Sequence, residues 1–313
     1  MKTIYFVIPC YNEEEVLNET ANRLAIKVGT LIEKKVISEK SKIMFVDDGS
    51  KDRTWNIIEE LNNSNSLFGG IKLSRNRGHQ NALLAGLLTV KGDCDAAISM
   101  DADLQDDINA IDRFIEKYYS GCDVVYGVRS DRKKDTAFKK YTAQAFYKLM
   151  NRLGVDIVYN HADYRLMSKR ALESLEEFKE VNLFLRGIVP LIGYKSDTVL
   201  YERNERFAGE SKYPLKKMIS FALEGITSFS VKPIRMVFTT GVIVFSISLC
   251  ILLYSLVQWM RGNTIQGWTT TVASIWAIGG IQILCIGIVG EYVGKIYMET
   301  KGRPKFTIDK YIK

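Results

Sequence analysis

Cysteine and histidine are scarce in this chain, and their placing excludes several classes of protein. Five cysteines (Cys10, Cys94, Cys122, Cys250 and Cys285) are spread over 313 residues with no CxxC pair. An odd, scattered set argues against a disulfide framework and a thiolate zinc site, and for a reducing compartment in which the thiols fill core space. The two histidines, His79 and His161, have no second ligand at metal spacing and read as structural or hydrogen-bonding groups. No secretory leader is expected either. The apolar opening Thr3-Ile4-Tyr5-Phe6-Val7-Ile8 is too short for one and stops at Pro9, so the N-terminal region is expected to stay in the cytosol.

The last third lacks charge over two long stretches. No ionisable residue stands between Arg235 and Arg261, 25 residues, or between Arg261 and Glu291 except Tyr and Cys, 29 residues. Each exceeds the roughly 20 residues a helix needs to cross a bilayer core, so transmembrane helices are expected at 236–260 and 266–290. Lys212, Lys216, Lys217, Lys232 and Arg235 precede the first; Lys295, Lys301, Arg303, Lys305, Lys310 and Lys313 follow the second. The connector RGNTIQG has one basic residue. Positive charge on the outer flanks predicts a two-span protein of the cell inner (plasma) membrane with both termini and the preceding domain cytosolic. Tyr254, Trp259 and Trp268 would then form an aromatic belt at the outer face.

Between the soluble part and the first span, LKKMISFALEGITSF (215–229) sets apolar residues at helical spacing against Lys216 and Lys217. It reads as the interfacial helix of a juxtamembrane unit, 214–232, and 291–313 reads as a cytosolic tail. Gly279, Gly280, Gly287 and Gly290 would permit close helix packing in a homo-oligomer. The net charge of +7 suits an anionic partner, either a phosphorylated small molecule or the lipid bilayer surface. Nucleic acid is not expected, because the basic residues flank the spans instead of forming a stripe.

Residues 1–213 alternate apolar runs with helical patterns. Candidate strands are TIYFVIP (3–9), KIMFVDD (42–48), GGIKLSR (69–75), AAISMDA (96–102) and DVVYGVR (123–129). Segments of 3.6-residue period lie between them, and this alternation predicts an α/β fold, a mostly parallel sheet with helices on both faces. Further on come an amphipathic helix at 136–154, an apolar helix at 183–193, a strand at 194–203 and a loop at 204–214. Ligands bind beyond the carboxyl ends of such strands. Tyr11-Asn12-Glu13, Asp47-Asp48-Gly49-Ser50 and Asp101-Ala102-Asp103 fall there.

The stretch SMDADLQDD (99–107) concentrates four carboxylates. Asp106 and Asp107 suit a helix start, since INAIDRFIEKYY follows. Asp101 and Asp103, as i and i+2 of a strand-like backbone, can face one hard divalent cation, Mg²⁺ or Mn²⁺, whose shell phosphate completes.

The ordered set PCYNE (9–13), VDDGS (46–50) and DADLQ (101–105) resembles glycosyltransferase family 2, the inverting nucleotide-sugar enzymes of GT-A fold. SRNRGHQN (74–81), ADYRLM (162–167) and RFAGESKY (206–213) narrow the likeness to its polyprenyl-phosphate branch, which includes dolichyl-phosphate mannose synthase and bacterial undecaprenyl-phosphate glucosyltransferases. The resemblance implies transfer of one sugar, from a donor such as UDP-glucose or UDP-GlcNAc, to a polyprenyl phosphate. It implies that Pro9, Tyr11, Glu13 and Asp47 or Asp48 hold the nucleoside. Asp101, Ala102, Asp103 and Gln105 would meet the metal and diphosphate, and Arg129, Arg206 and Lys212 the phosphates. Asp163 becomes the candidate base; the residues alone equally allow it to orient the acceptor or to pair with Arg165. Two other readings compete. A processive polysaccharide synthase predicts more spans and a QxxRW motif, which is absent. A non-catalytic nucleotide-binding scaffold sits badly with intact Asp101, Asp103, Asp163 and Arg206.

Overall fold

Strand β1 (Ile4–Cys10) is buried along its whole length, as a central strand covered on both faces must be. Its residues serve two cores by alternation. Ile4, Phe6 and Ile8 face one side with Leu17, Leu24 and Val28 of α1 (Leu17–Glu33); Tyr5 and Val7 face the other with Ala82, Leu83 and Leu87 of α3 (His79–Val90). Each such buried aliphatic or aromatic side chain contributes roughly 1.5–3 kcal/mol. The same division continues through β2 (Lys42–Asp47), α2 (Thr54–Ser64), β3 (Phe68–Leu73), β4 (Ala96–Ser99), α4 (Ala110–Tyr119) and β5 (Val124–Arg129). The chain goes on through β6 (His161–Ser168), α5 (Lys169–Glu176), α6 (Leu185–Leu191) and β7 (Ser196–Tyr201). Two long helices, α7 (Lys232–Met260) and α8 (Trp268–Thr300), and a last strand, β8 (Ile308–Ile312), complete it.

This computed structural model describes residues 1–130, 161–181, 183–202, 232–261 and 267–313. The helix expected at 136–154, the loop at 204–214 and the interfacial helix at 215–229 lie outside the described residues.

The eight strands form one sheet in the order β7-β5-β6-β4-β1-β2-β3-β8. β1 pairs in parallel with β2 and β4, β2 with β3, and β5 with β7. β6 is antiparallel to both its neighbours, and β8 is antiparallel to β3. The sheet is therefore mixed, with β1–β5 and β7 running in one direction, as a mostly parallel sheet does, and β6 and β8 running against them. The antiparallel β6 brings its amino end to the rim where β1, β2, β4, β5 and β7 end.

The C-terminal segment differs from expectation as well. It does not end as a separate tail: β8 returns to the sheet and closes the β3 edge, with Lys310 3.1 Å from Glu59 and Lys313 2.5 Å from Asp93. Pairing supplies partners for main-chain groups that an open edge strand leaves free. Among the described residues, Ile278–Thr300 is long and apolar enough to cross a membrane; the apolar stretch in α7, Pro233–Val244, is shorter. Among the described residues one helix, where two were expected, meets that criterion of length and composition.

At the rim, the turn after β2 packs against the segment entering α3. Gly49 has φ +66°, and a Cβ there would lie 2.6 Å from the carbonyl carbon of Arg75. Left-handed backbone and main-chain proximity together require glycine. Gly49→Ala is expected to destabilise the protein by about 2 kcal/mol, read as a lowered melting temperature.

Candidate active site

The loops after β1 and β2 are laced together by their own polar groups. Asn12 N–H donates to Ser50 Oγ at 3.0 Å, Lys51 N–H to Asn12 Oδ1 at 2.9 Å, and Glu13 N–H to Thr54 Oγ1 at 2.9 Å. The two aspartates between them do different work. Asp48 accepts from the Arg77 N–H at 2.7 Å and the Gly78 N–H at 2.9 Å, so both its oxygens brace the start of α3. Asp47 is fully buried; its Oδ1 accepts from Ser50 N–H at 3.1 Å and its Oδ2 has no hydrogen-bond partner. Burial pushes both carboxyls up. A buried carboxylate oxygen left without a donor is costly unless a ligand supplies one. Pro9 is buried in β1, and Tyr11 and Glu13 are half-buried beside these turns.

The acidic turn lies next door. β4 ends at Ser99, so Asp101 and Asp103 do not continue the strand as expected; they occupy a turn. Leu104, buried, adopts φ +58° within it, and Gln105 N–H donates to Asp103 Oδ1 at 3.2 Å. Ala102 is buried. Asp106 also departs from expectation. Instead of starting α4, it is buried below the turn, accepting from the Tyr201 hydroxyl at 2.8 Å and from the Asp101 N–H at 3.2 Å. Burial and the neighbouring Asp101 push its carboxyl up to about 7. Asp107 keeps the role read for it, its Oδ1 accepting from Asn109 N–H at 2.9 Å just before α4.

Asp163 reaches the rim from β6. Its carboxylate meets Arg165 Nη2 at 2.7 Å and Arg186 Nη2 at 3.1 Å, and His79 Nε2 stands 3.8 Å away. Burial disfavours its charge, but Arg186 and Arg165 outweigh that and hold the carboxyl well below the usual carboxylate range. His79 Nε2 is also 3.6 Å from Asp101 Oδ1, so one imidazole spans the two carboxylates. The Asp101 carboxyl is pushed up by burial and by Asp163 and Asp103, with His79 opposing. This rim carries an excess of negative charge.

Hard oxygen donors in that state fit a divalent cation, since Mg²⁺ is held by one or two carboxylates and completes its shell with water and phosphate. Among the described residues no group of three His, Cys, Asp or Glu side chains is arranged to hold a metal by itself.

Of the residues expected at the site, Pro9, Tyr11, Glu13, Asp47, Asp48, Asp101, Ala102, Asp103, Gln105, Arg129 and Asp163 lie at this rim or directly beneath it. Arg206 and Lys212 lie outside the described residues. Arg186, Tyr201 and Asp106 were missed, and His79, expected as a structural or hydrogen-bonding group, stands between Asp101 and Asp163. A sequence signal was available for Arg186, a lone charge inside the apolar run LFLRGIVPLIG.

Comparison with known proteins agrees with the motifs. A family model described as "Glycosyl transferase family 2" matches residues 5–176, and one described as "GtrB C-terminal hairpin" matches residues 232–296. The chain is 56% identical to the uncharacterized glycosyltransferase YkoT of Bacillus subtilis (strain 168), over 97% of this chain and 90% of that protein. It is 41% identical to the bactoprenol glucosyl transferase of Shigella phage SfX, over 97% of this chain and 98% of that protein. Among solved structures, glucosyl-3-phosphoglycerate synthase from Mycobacterium tuberculosis, in complex with Mn²⁺, uridine-diphosphate-glucose and phosphoglyceric acid, is 14% identical with a TM-score of 0.46, covering 72% of this chain and 78% of that one. With its strand-end motifs and its hairpin both matched, and relatives similar from end to end, the chain belongs to glycosyl transferase family 2 and carries the C-terminal hairpin of the GtrB type.

Proposed function

We propose that this enzyme transfers one glucose from UDP-glucose to a polyprenyl phosphate, bactoprenyl (undecaprenyl) phosphate by its relatives, with inversion at the anomeric carbon. The observation that carries the reading is the meeting of Asp101, Asp103 and Asp163 at one rim, in a chain similar over 97% of its length to a bactoprenol glucosyl transferase.

The unpartnered Asp47 oxygen supports a place for the nucleobase, whose ring N–H can donate to it, with Pro9, Tyr11 and Glu13 around it. Asp48 braces the neighbouring loop. Asp101, Asp103 and Gln105 would hold Mg²⁺ or Mn²⁺ with the donor diphosphate, and Arg129, Arg206 and Lys212 would meet the phosphates. When bound, the cation supplies charge neutralisation for the departing nucleoside diphosphate. A phosphate monoester has its second pKa near 6, so the acceptor is largely dianionic at neutral pH and needs no strong base. Asp163, held ionised by two guanidinium groups, is correspondingly a weak base; it orients the acceptor side of the site through Arg186 and His79.

The acceptor's chain stays in the bilayer. Two spans, 236–260 and 266–290, are proposed, the first within α7 and the second overlapping α8, with 1–213 as the catalytic domain, 214–232 as the juxtamembrane segment and 291–313 leading back to the sheet. The pairing of β8 with β3 supports this topology, because it ties the far end of α8 to the catalytic side, which the flanking basic residues assign to the cytosol. Open space around Gly279, Gly280, Gly287 and Gly290 leaves room for a second copy in the membrane.

A donor panel of UDP-glucose, UDP-GlcNAc and GDP-mannose with undecaprenyl phosphate tests the proposal in detergent-solubilised full-length enzyme. Labelled sugar is expected in the lipid extract with UDP-glucose, and only when Mg²⁺ or Mn²⁺ is added. Faster transfer from another donor would refute the glucose assignment, and transfer that survives full chelation would refute the metal.

A further inference from the structure

The turn that carries Asp101 and Asp103 is pinned from below at three places, by Thr20, Tyr201 and Tyr164, groups with no other part in the proposed chemistry. Thr20 Oγ1 of α1 donates to the Ala102 carbonyl at 2.7 Å. The Tyr201 hydroxyl, at the end of β7, donates to Asp106 Oδ1 at 2.8 Å, and the other Asp106 oxygen accepts from the Asp101 N–H at 3.2 Å. The Tyr164 hydroxyl of β6 donates to the Asp107 carbonyl at 3.0 Å. Arg129 Nε lies 3.5 Å from the same Tyr201 hydroxyl.

The two tyrosines are themselves locked. Their rings meet edge to face at 5.2 Å, and Tyr164 packs on Phe114 of α4 at 4.6 Å. Gly127 of β5 makes room for them, since a Cβ there would lie 2.7 Å from the Tyr164 carbonyl oxygen and 3.0 Å from the Tyr201 ring. Above this floor Leu104 holds a left-handed backbone between Asp103 and Gln105. A strained residue persists only where its surroundings over-determine it. Three hydrogen bonds from three separate elements, a fourth within the turn and a rigid aromatic base are more than a surface turn needs to keep its shape.

We propose that Tyr201, Tyr164 and Thr20 are positioning residues for the cation site: through Asp106, Asp107 and Ala102 they hold the Asp101–Asp103 turn in its metal-accepting shape before the donor arrives. The inference rests on the metal-dependent reading of the rim given above. Tyr201 also ends the strand that runs into the segment bearing Arg206, so the same hydroxyl joins the carboxylate turn to the end of β7. Outer partners that fix ligand orientation typically govern metal affinity by 10–100-fold.

The test uses the full-length chain in detergent and the variants Tyr201→Phe and Thr20→Val, which remove a hydroxyl and keep the bulk of the side chain. Calorimetric titration with UDP, with and without Mn²⁺, and electron paramagnetic resonance of bound Mn²⁺ read the site without turnover. Each variant is expected to weaken Mn²⁺ binding in the presence of UDP about tenfold, and to raise the Mn²⁺ concentration at half-maximal transfer by a similar factor. Metal-free UDP affinity and the rate at saturating Mn²⁺ should stay close to those of the parent. Unchanged Mn²⁺ affinity in both variants overturns the inference, as does an equal loss of metal-free UDP binding. If Tyr201→Phe fails to fold, Thr20→Val decides the question from the opposite side of the turn. A parent enzyme that binds UDP equally with and without Mn²⁺ would overturn the underlying metal reading itself, a result distinct from a parent that responds to Mn²⁺ and variants that respond alike.

Discussion

Asp103→Asn is expected to lower sugar transfer by about three orders of magnitude, equivalent to about 4 kcal/mol of transition-state stabilisation. The substitution keeps the shape of the side chain and its capacity to accept the Gln105 N–H at 3.2 Å in the parent, so the turn should survive. What it removes is one of the two negative charges that would draw a divalent cation to the diphosphate. Adding more Mn²⁺ should recover part of the lost rate, because weakened binding yields to mass action. The measurement is the initial rate of labelled glucose transfer against Mn²⁺ concentration, with chelated parent enzyme as the floor. A variant that keeps more than a tenth of the parent rate at every metal concentration would remove Asp103 from the metal set.

Asp163→Asn should damage both stability and turnover. Arg165 is only 1% exposed and donates to Asp163 Oδ1 at 2.7 Å and to the Leu185 carbonyl at 3.3 Å. Without the carboxylate its guanidinium becomes a buried charge lacking its counter-ion, a change that costs about 3–5 kcal/mol. The dependence on pH follows from the depressed carboxyl of Asp163. A carboxyl lowered in the folded state contributes stability that is fully present above its unfolded pKa, about 3.9, and is lost as pH falls through the folded value. The stability gap between parent and variant should therefore be flat from pH 5 to pH 8 and narrow only in strong acid, as read by denaturant titration at several pH values. Residual transfer by the variant should follow the same pH profile as the parent between pH 6 and pH 8. An acidic limb present in the parent and missing from the variant would make Asp163 a titrating base instead of an orienting group.

The strand ends were readable because parallel α/β proteins repeat a local pattern. Each of the runs at 3–9, 42–48, 69–75, 96–102 and 123–129 overlaps an observed strand, and the helix at His79–Val90 coincides with its apolar period. Two strands escaped. β6 carries Asp163 and Arg165 at buried positions, and charged residues in a short segment look like a loop until each is known to neutralise the other. β8 is a five-residue strand, largely exposed, whose lysines read as charges beside a membrane span; its partner β3 lies more than 200 residues earlier. Asp106 and Asp107 looked alike because both precede a helix, and only the placing of Tyr201 beneath one of them separates their roles.

By itself, then, the sequence determined the catalytic fold class, the order of rim motifs and the long uncharged stretches, all properties carried by short-range periodicity and composition. The tertiary structure alone decided which residues meet. Ser99 of β4 pairs antiparallel with Arg165 of β6, and beyond the end of that ladder His79 Nε2 stands 3.6 Å from Asp101 and 3.8 Å from Asp163. The chain then folds Arg186 and His79 in from two further helices. Contacts of that kind depend on register across more than 60 residues, where no local pattern records the partner.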